Sequence, residues 1–598
     1  MRPFARKALF ATTALALGLA GLSAPALERL DFSVTGEDRA LERELRAASG
    51  LLAAEKGKRT DALDLFADAR AEYGRLLAAL YAAGHYGPEI HVRIDGHEAA
   101  GIAALDAPTA IGVIEVTVDP GPAFRFDQTR ISPLAPGTDL PPGFAPGKPA
   151  ESGVVIEAAQ AAVEGWRARG HAKAEPGRQD LVADHANATL SAAIEMIPGP
   201  VLRFGPLTVR GNERLRTERA HAIAGLPEGK RFDPVELRRV AERLRRSGVF
   251  SSVTVSEDEA ITPPDLLGIS ADLVEAPTRR YTFGAELASQ DGVVLSGSWL
   301  HRNLLGGAER LEIDFEIAGI AAQSGGADYS LGVTLDRPAT PDPDTVLNLG
   351  LDLAQINDVD AHLGLFGATA GFTHYFTETL SGHASLGYSA LFGRDAAGKF
   401  AYRTAEVPLG LTWDRRNSKT DPTGLFYLDL GAKPFYGFGG TDNGAQLTFD
   451  ARGYKALGDE GRVVLALRLQ GGAVLGADIL DAPRDDLFFS GGGGTVRGQP
   501  YQSLGVTVDD GGTPVTMGGN RFLAGSLEAR MKLAGKFGLA AFVDAGLVGN
   551  ASDTDWHAGA GLGLRYDTGI GPVRLDLALP VQGDGQGLQA YVGLGQAF

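Results

Sequence analysis

Hydrophobic and polar residues follow two rhythms along this chain of 598 residues, and the change falls near Arg280. Before it, helical spacing is present. In 233–244, Leu237, Val240, Ala241 and Leu244 share one face, Asp233 is placed to cap, and Pro234 suits a first turn. After it, period-two alternation dominates. In 525–534, Leu527, Ala529, Met531 and Leu533 oppose Ser526, Glu528, Arg530 and Lys532. In 537–547, Leu539, Ala541, Val543, Ala545 and Leu547 oppose Gly538, Ala540, Phe542, Asp544 and Gly546. In 561–567, Leu562, Leu564 and Tyr566 oppose Gly561, Gly563, Arg565 and Asp567; in 573–579, Val573, Leu575, Leu577 and Leu579 oppose Arg574, Asp576 and Ala578. About sixteen such segments fit into 281–598, roughly 20 residues for each strand and its connection, the spacing of a membrane β-barrel.

Alternation alone also fits a soluble sandwich with its aliphatic face inward. The start of the chain favours the membrane. Arg2, Arg6 and Lys7 precede an apolar run from Ala8 to Leu22 and a small-residue exit at Ala24-Pro25-Ala26, the layout of a secretory signal peptide over 1–26. No later stretch is apolar enough for a membrane helix, so an exported product that spans lipid does so with strands. A charge on the lipid face near the midplane costs about 2–4 kcal/mol, so the aliphatic faces point outward. Glu528, Arg530, Asp544, Arg565, Arg574 and Asp576 then face the lumen.

The first half repeats itself. Pro120-Gly121-Pro122-Ala123-Phe124-Arg125-Phe126 recurs as Pro198-Gly199-Pro200-Val201-Leu202-Arg203-Phe204, and a worn copy stands at Pro277-Thr278-Arg279-Arg280-Tyr281-Thr282-Phe283. A second landmark moves with it: a helix end, a glycine, one residue, then a residue opening a strand, at Gly84/Tyr86, Gly170/Ala172 and Gly248/Phe250. Glycine there suits a left-handed helix stop. Three tandem β-α-α-β-β units are expected at 27–121, 122–199 and 200–279, joined almost without linkers, with the barrel over 280–598. Such units form a semi-rigid arm whose sheet edges accept a partner strand, or they are spacers.

Composition sharpens this. With no cysteine, disulfides, Cys-ligated metals and thiol nucleophiles are excluded. A formal charge of −18 argues against a broad grip on nucleic acid. No metalloprotease or nucleophile-elbow pattern occurs, and His85, His91 and His97 read as surface or strand histidines, so neither an enzyme, a metal nor a cofactor is expected. Of the 81 glycines, 55 fall in 281–598. Some occupy a long insert at about 478–521, which carries four consecutive glycines and then Thr495-Val496-Arg497-Gly498-Gln499-Pro500-Tyr501. Others lie in the closing strand expected at 587–598, where Gly593 and Gly595 either weaken pairing with the first strand, near Tyr281, Phe283 and Ala285, or relieve crowding in the lumen.

The tandem repeats, the Val496-Arg497-Gly498 loop, 538–546, 561–566 and the aromatic terminus Phe598 together resemble the outer-membrane assembly superfamily that includes BamA and TamA. Three POTRA-like units resemble TamA, the outer-membrane subunit of the translocation and assembly module, more than the BamA type, which typically has five. The resemblance implies a protein of the Gram-negative outer membrane, its POTRA arm in the periplasm and its long loop folded into the barrel. A buried guanidinium needs partners, and Asp544 and Glu528 are the expected ones for Arg497. Gln499 stands where the family often has an aromatic residue. The implied activity is insertion of autotransporters and other nascent outer-membrane proteins through a lateral gate between the first and last strands, at Tyr281, Phe283, Ala285, Gly593, Leu594, Gly595 and Phe598. The implied partner of the arm is a TamB-like protein anchored in the inner membrane. A secretion pore of the two-partner type and a BamA-like general assembly factor are the alternatives.

Overall fold

A computed structural model describes residues 27–598 except 37, 60, 289–291, 321–326, 358–361, 459–460, 534, 551–553, 570, 584, 586 and 596–598. The expected signal peptide and Phe598 lie outside the described residues. The chain divides into two compact units, one comprising 1–203 with 230–234, the other 204–229 with 235–598.

The first unit holds two small α/β modules. In one, Asp38 and Asp61 cap the helices Arg39–Ala48 and Ala62–Ala82 by accepting from backbone N–H groups of the first turn. The longer helix buries Leu65, Phe66, Ala69, Leu76 and Leu80 against a four-stranded sheet carrying Val92, Ile94, Ile114, Val116 and Val118. The other module has three strands, Arg125–Ser132, Glu175–Asp184 and Thr189–Ile197, and a single long helix, Ser152–Arg167. Here two helices were expected. The stretch that would form the first contains Pro133, Pro136, Pro141 and Pro142, and prolines remove N–H donors and clash with a helix interior.

The repeated landmarks have one geometry. Gly84, Gly170 and Gly248 all have positive φ (83°, 91° and 70°), which explains glycine after each helix. His85 Nδ1 lies 3.0 Å from the Gly121 carbonyl and His171 Nδ1 2.8 Å from that of Gly199. Phe124 N–H donates to Gly84 and Leu202 N–H to Gly170, at 2.8 and 2.9 Å. The strands begin later than expected in two copies, at Glu89 and Glu175, and at the expected residue, Phe250, in the third. His91 and His97 lie on the strands Glu89–Ile94 and His97–Glu98.

The second unit opens with a sheet of Arg203–Arg210, Leu266–Glu275 and Phe250–Thr262, and with helices Thr217–Ala224 and Pro234–Arg246. The latter buries Val240, Ala241 and Leu244, as their spacing requires. One antiparallel sheet of seventeen segments follows, from Arg279–Ala288 to Gln589–Leu594. Lys399–Glu406 and Leu409–Asp414 both pair with the strands on either side, so they are one strand broken at Val407-Pro408 and the sheet has sixteen positions. Leu527, Val543, Leu562 and Leu579 are more than half exposed on one face; Glu528, Asp544, Arg565 and Asp576 are buried on the other. The aliphatic face is thus the outer one.

Candidate functional site: a loop arginine held by the barrel wall

Between the strands Val463–Leu475 and Arg521–Lys532 the chain leaves the sheet and forms the hairpin of Val506–Asp510 and Thr513–Met517. Leu487, Val506, Val515 and Met517 of this insert pack on Phe435, Val474 and Val548 of the wall. The apolar contact fixes the insert's base, and its glycine-rich tip reaches the last strands.

Arg497 is buried there. Its Nε donates to Asp544 Oδ2 at 2.7 Å and a terminal nitrogen to Oδ1 at 3.0 Å; its backbone N–H also reaches Oδ2, at 3.1 Å. The other terminal nitrogen donates to Glu528 at 2.8 Å and Asp576 at 3.2 Å, and Ser526 Oγ accepts at 3.2 Å. The guanidinium carbon stands 3.4 Å from the Phe542 ring centroid. Both expected partners, Asp544 and Glu528, therefore touch Arg497. Asp576, Ser526 and Phe542 complete the seat, and inward alternation was the signal that marked all three.

The seat is balanced in charge. Arg530 donates to Glu528 at 2.7 Å, and Arg565 to Glu528 at 3.2 Å and Asp576 at 2.5 Å, so three arginines meet three carboxylates. Burying a charge without such pairing is prohibitive, and removing one member of a buried pair costs about 3–5 kcal/mol.

Neighbouring tip residues extend the fastening. The Gly494 carbonyl accepts from Arg468 at 3.0 Å and Gln470 at 2.9 Å. Val496 is fully buried, and Gly498, at φ 93°, donates its N–H to the Tyr591 hydroxyl at 3.0 Å. Gln499 takes no stacking role: its amide donates to the Ala558 and Gln582 carbonyls, both at 2.8 Å, and its oxygen accepts from Gly585 N–H at 3.0 Å. The loop thus ties the last six strands of the sheet into one block. Tyr591 was not anticipated, although it alternates with the outward Val592.

The two ends of the sheet frame the seam. Tyr281 and Phe283 are exposed on Arg279–Ala288, whose Ala285 pairs with Leu295. Among the described residues the closing strand is Gln589–Leu594, flanked by Gly587 and Gly595 at φ of 78° and 83°; 596–598 of the expected 587–598 lie outside the described residues. Leu594 pairs with Val573, and a Cβ on Gly593 would lie 2.8 Å from Arg574 Nε, so this glycine relieves lumen crowding. Gly595 N–H bonds to the Pro572 carbonyl at 2.7 Å. Among the described residues no ladder joins Gln589–Leu594 to Arg279–Ala288.

An Omp85 superfamily domain matches residues 303–598, and a POTRA family described as a surface antigen variable number repeat matches 202–270. The chain belongs to the Omp85 superfamily. It is an outer-membrane β-barrel with periplasmic POTRA sequence. Relatives include the outer membrane protein assembly factors BamA of Neorickettsia risticii, 24% identical over 66% of this chain and 54% of that protein, and of Nitratidesulfovibrio vulgaris, 25% identical over 62% and 48%. This Omp85 chain spans about half the length of these curated relatives. Its fold is similar to that of BamA from Haemophilus ducreyi lacking POTRA domains 1–3, at a TM-score of 0.58 and 17% identity over 79% of this chain and 100% of that one. It is also similar to CdiB from Acinetobacter baumannii, at 0.52 and 12% over 79% and 89%.

Proposed function

We propose that this protein is a non-enzymatic insertase that assists the folding of autotransporters and other outer-membrane proteins, of the TamA type within the Omp85 superfamily. The observation that carries this reading is the seam. Among the described residues the last strand is paired on one side only, along Gln589–Leu594, and the first strand only with its hairpin neighbour. Unpaired edges are templates for an incoming strand, and lipid makes that pairing strongly favourable, so no nucleotide or cofactor is needed.

In this reading the modules at 27–121, 122–199 and 200–279 are three POTRA units, and their sheet edges dock a TamB-like partner anchored in the inner membrane. Three small sheets preceding the barrel support that count. No nucleic acid takes part. The loop block holds the closing side of the barrel rigid while the other edge of the seam moves.

Ala285→Cys with Leu594→Cys tests the gate cleanly in a chain without cysteine. Oxidation of the pair is expected to stop client insertion and reduction to restore it. Undiminished insertion in the locked protein overturns the proposal. The second reading, a secretion pore, is favoured by the loop's place inside the barrel. It predicts that deleting 485–505 raises ion conductance sharply and leaves client assembly intact.

A further inference from the structure

On the outer face of the barrel, at the rim opposite the POTRA module, four side chains form a row across four adjacent strands. Asn357 pairs with His362, His362 with Arg394, and Arg394 with Lys399, so all four project to the same side. That side is the outer one. Phe392 and Leu386, two and eight residues before Arg394 on the same strand, are exposed there, whereas Leu391 and Tyr402 of the opposite face are buried. Arg403, two pleat repeats below Lys399 on the same outward face and opposite Ala390, is exposed as well.

Among the described residues no ion pair engages Arg394, Lys399 or Arg403. Among the described residues no carboxylate lies on the outward face of Asp328–Pro338, Thr345–Asn357, His362–Tyr375, Leu380–Arg394 or Lys399–Glu406, and none pairs with Arg394, Lys399 or Arg403. Like charges directly opposite on neighbouring strands, as Arg394 and Lys399 are, destabilise the ladder unless an anion bridges them. In a chain with net charge −18 and ion pairs throughout the lumen, such a patch stands apart.

Directly beneath the row lies an open groove of about 930 Å3 that touches Tyr329, Leu331, Leu353, Phe392 and Ala401. Gly364 makes room for it: the Phe392 ring lies where a Cβ of Gly364 would sit. The outward face of Leu380–Arg394 is apolar from Leu380 to Phe392 and becomes charged only at Arg394, so the groove lies in the hydrocarbon layer and Arg394 and Lys399 lie at headgroup level. Arginine and lysine near that level are placed to reach phosphate while their stems lie on apolar surface.

We propose that this patch binds a phosphorylated lipid of the outer leaflet, its phosphate held by Arg394 and Lys399 with His362 flanking, and its acyl chains in the groove over Phe392 and Leu353. Such a lipid anchors the long hairpin Leu380–Glu406 at a fixed depth, away from the seam. The inference rests on the membrane orientation given above and not on the insertase reading.

The test uses the full chain in detergent, titrated with diphosphoryl lipid A, with phosphatidylcholine and with inorganic phosphate, and read by native mass spectrometry. Lipid A is expected to remain bound at concentrations where phosphatidylcholine does not. R394Q/K399Q should weaken retention about tenfold or more, as loss of charge-assisted contacts implies, R394K should retain it, and Phe392→Ala should weaken it without touching a charge. A heat-modifiable band verifies that each variant holds a folded barrel. Equal retention by R394Q/K399Q, equal binding of phosphatidylcholine, or complete displacement of lipid A by equimolar phosphate would each overturn the proposal.

Discussion

The Arg497 carbonyl oxygen sits against the bare Cα of Gly559: a Cβ built on Gly559, in the strand Thr554–Tyr566, would stand 1.9 Å from it. The loop can approach the wall this closely only because the wall has no side chain there. Gly559→Ala should therefore lift the tip from its seat and destabilise the barrel by about 1–3 kcal/mol, the range for overpacking. Gly494→Ala, whose Cβ meets nothing within 4 Å, is the control. Gel mobility before and after heating separates the two.

Arg497→Ala and Asp544→Ala should each remove about 3–5 kcal/mol, because either leaves a buried charge unpaired. The double variant should lose far less than their sum, and a double-mutant cycle on thermal stability and client assembly measures the coupling. Additive losses would mean that the pair does not act as one. Asp576→Ala removes one carboxylate partner from both Arg565 and Arg497, so its loss should couple to both arginines.

Asp344, in the turn before Thr345–Asn357, binds Arg243 through both carboxylate oxygens, at 2.9 and 2.6 Å, and Arg246 at 3.2 Å. Arg246 also lies over the Tyr375 ring, 3.9 Å from its centroid. These contacts tie helix Pro234–Arg246 to the periplasmic turns of the barrel. Asp344→Ala should speed amide hydrogen exchange in that helix about tenfold or more, as loss of charge-assisted hydrogen bonds worth above ~1.4 kcal/mol requires. Unchanged exchange would show that packing alone holds the helix.

Glu242 on the same helix is pushed up to about 7, first by burial and then by its hydrogen bond with Glu378 in a neighbouring turn. A raised carboxyl binds its proton more tightly in the folded protein, so this contact contributes stability at acid pH and loses it as pH rises from the ordinary carboxylate range through about 7. Corrected for the intrinsic acceleration of amide exchange with pH, exchange in Pro234–Arg246 should rise between pH 5 and 8. Glu242→Gln should flatten that dependence, and a slope that persists would place the titration elsewhere.

Much of the architecture was legible along the chain because both periodicities report which face a residue occupies. Alternation in 525–579 separated Glu528, Asp544, Arg565 and Asp576 from Leu527, Val543 and Leu577 before any strand was placed. The repeated Gly84, Gly170 and Gly248 were legible because a left-handed stop excludes most other residues. Less legible was the missing helix after Ser132, where prolines outweigh the pattern of the repeat. The role of Gly593 was hidden too, because a glycine that relieves crowding and one that weakens pairing look alike in sequence.

By itself the sequence determined which residues face the lumen, where the arm ends and the barrel begins, and that one arginine rides on a glycine-rich insert. These are local properties, set by the period of side-chain direction and by backbone freedom at glycine. Only the tertiary structure decided that Arg497 meets Asp544, Glu528 and Asp576 together, that Gln499 bonds to three backbone groups, and that Asn357, His362, Arg394 and Lys399 align in one row. Those meetings depend on strand register and on where a long insert comes to rest, and both are fixed by contacts between residues far apart in the chain.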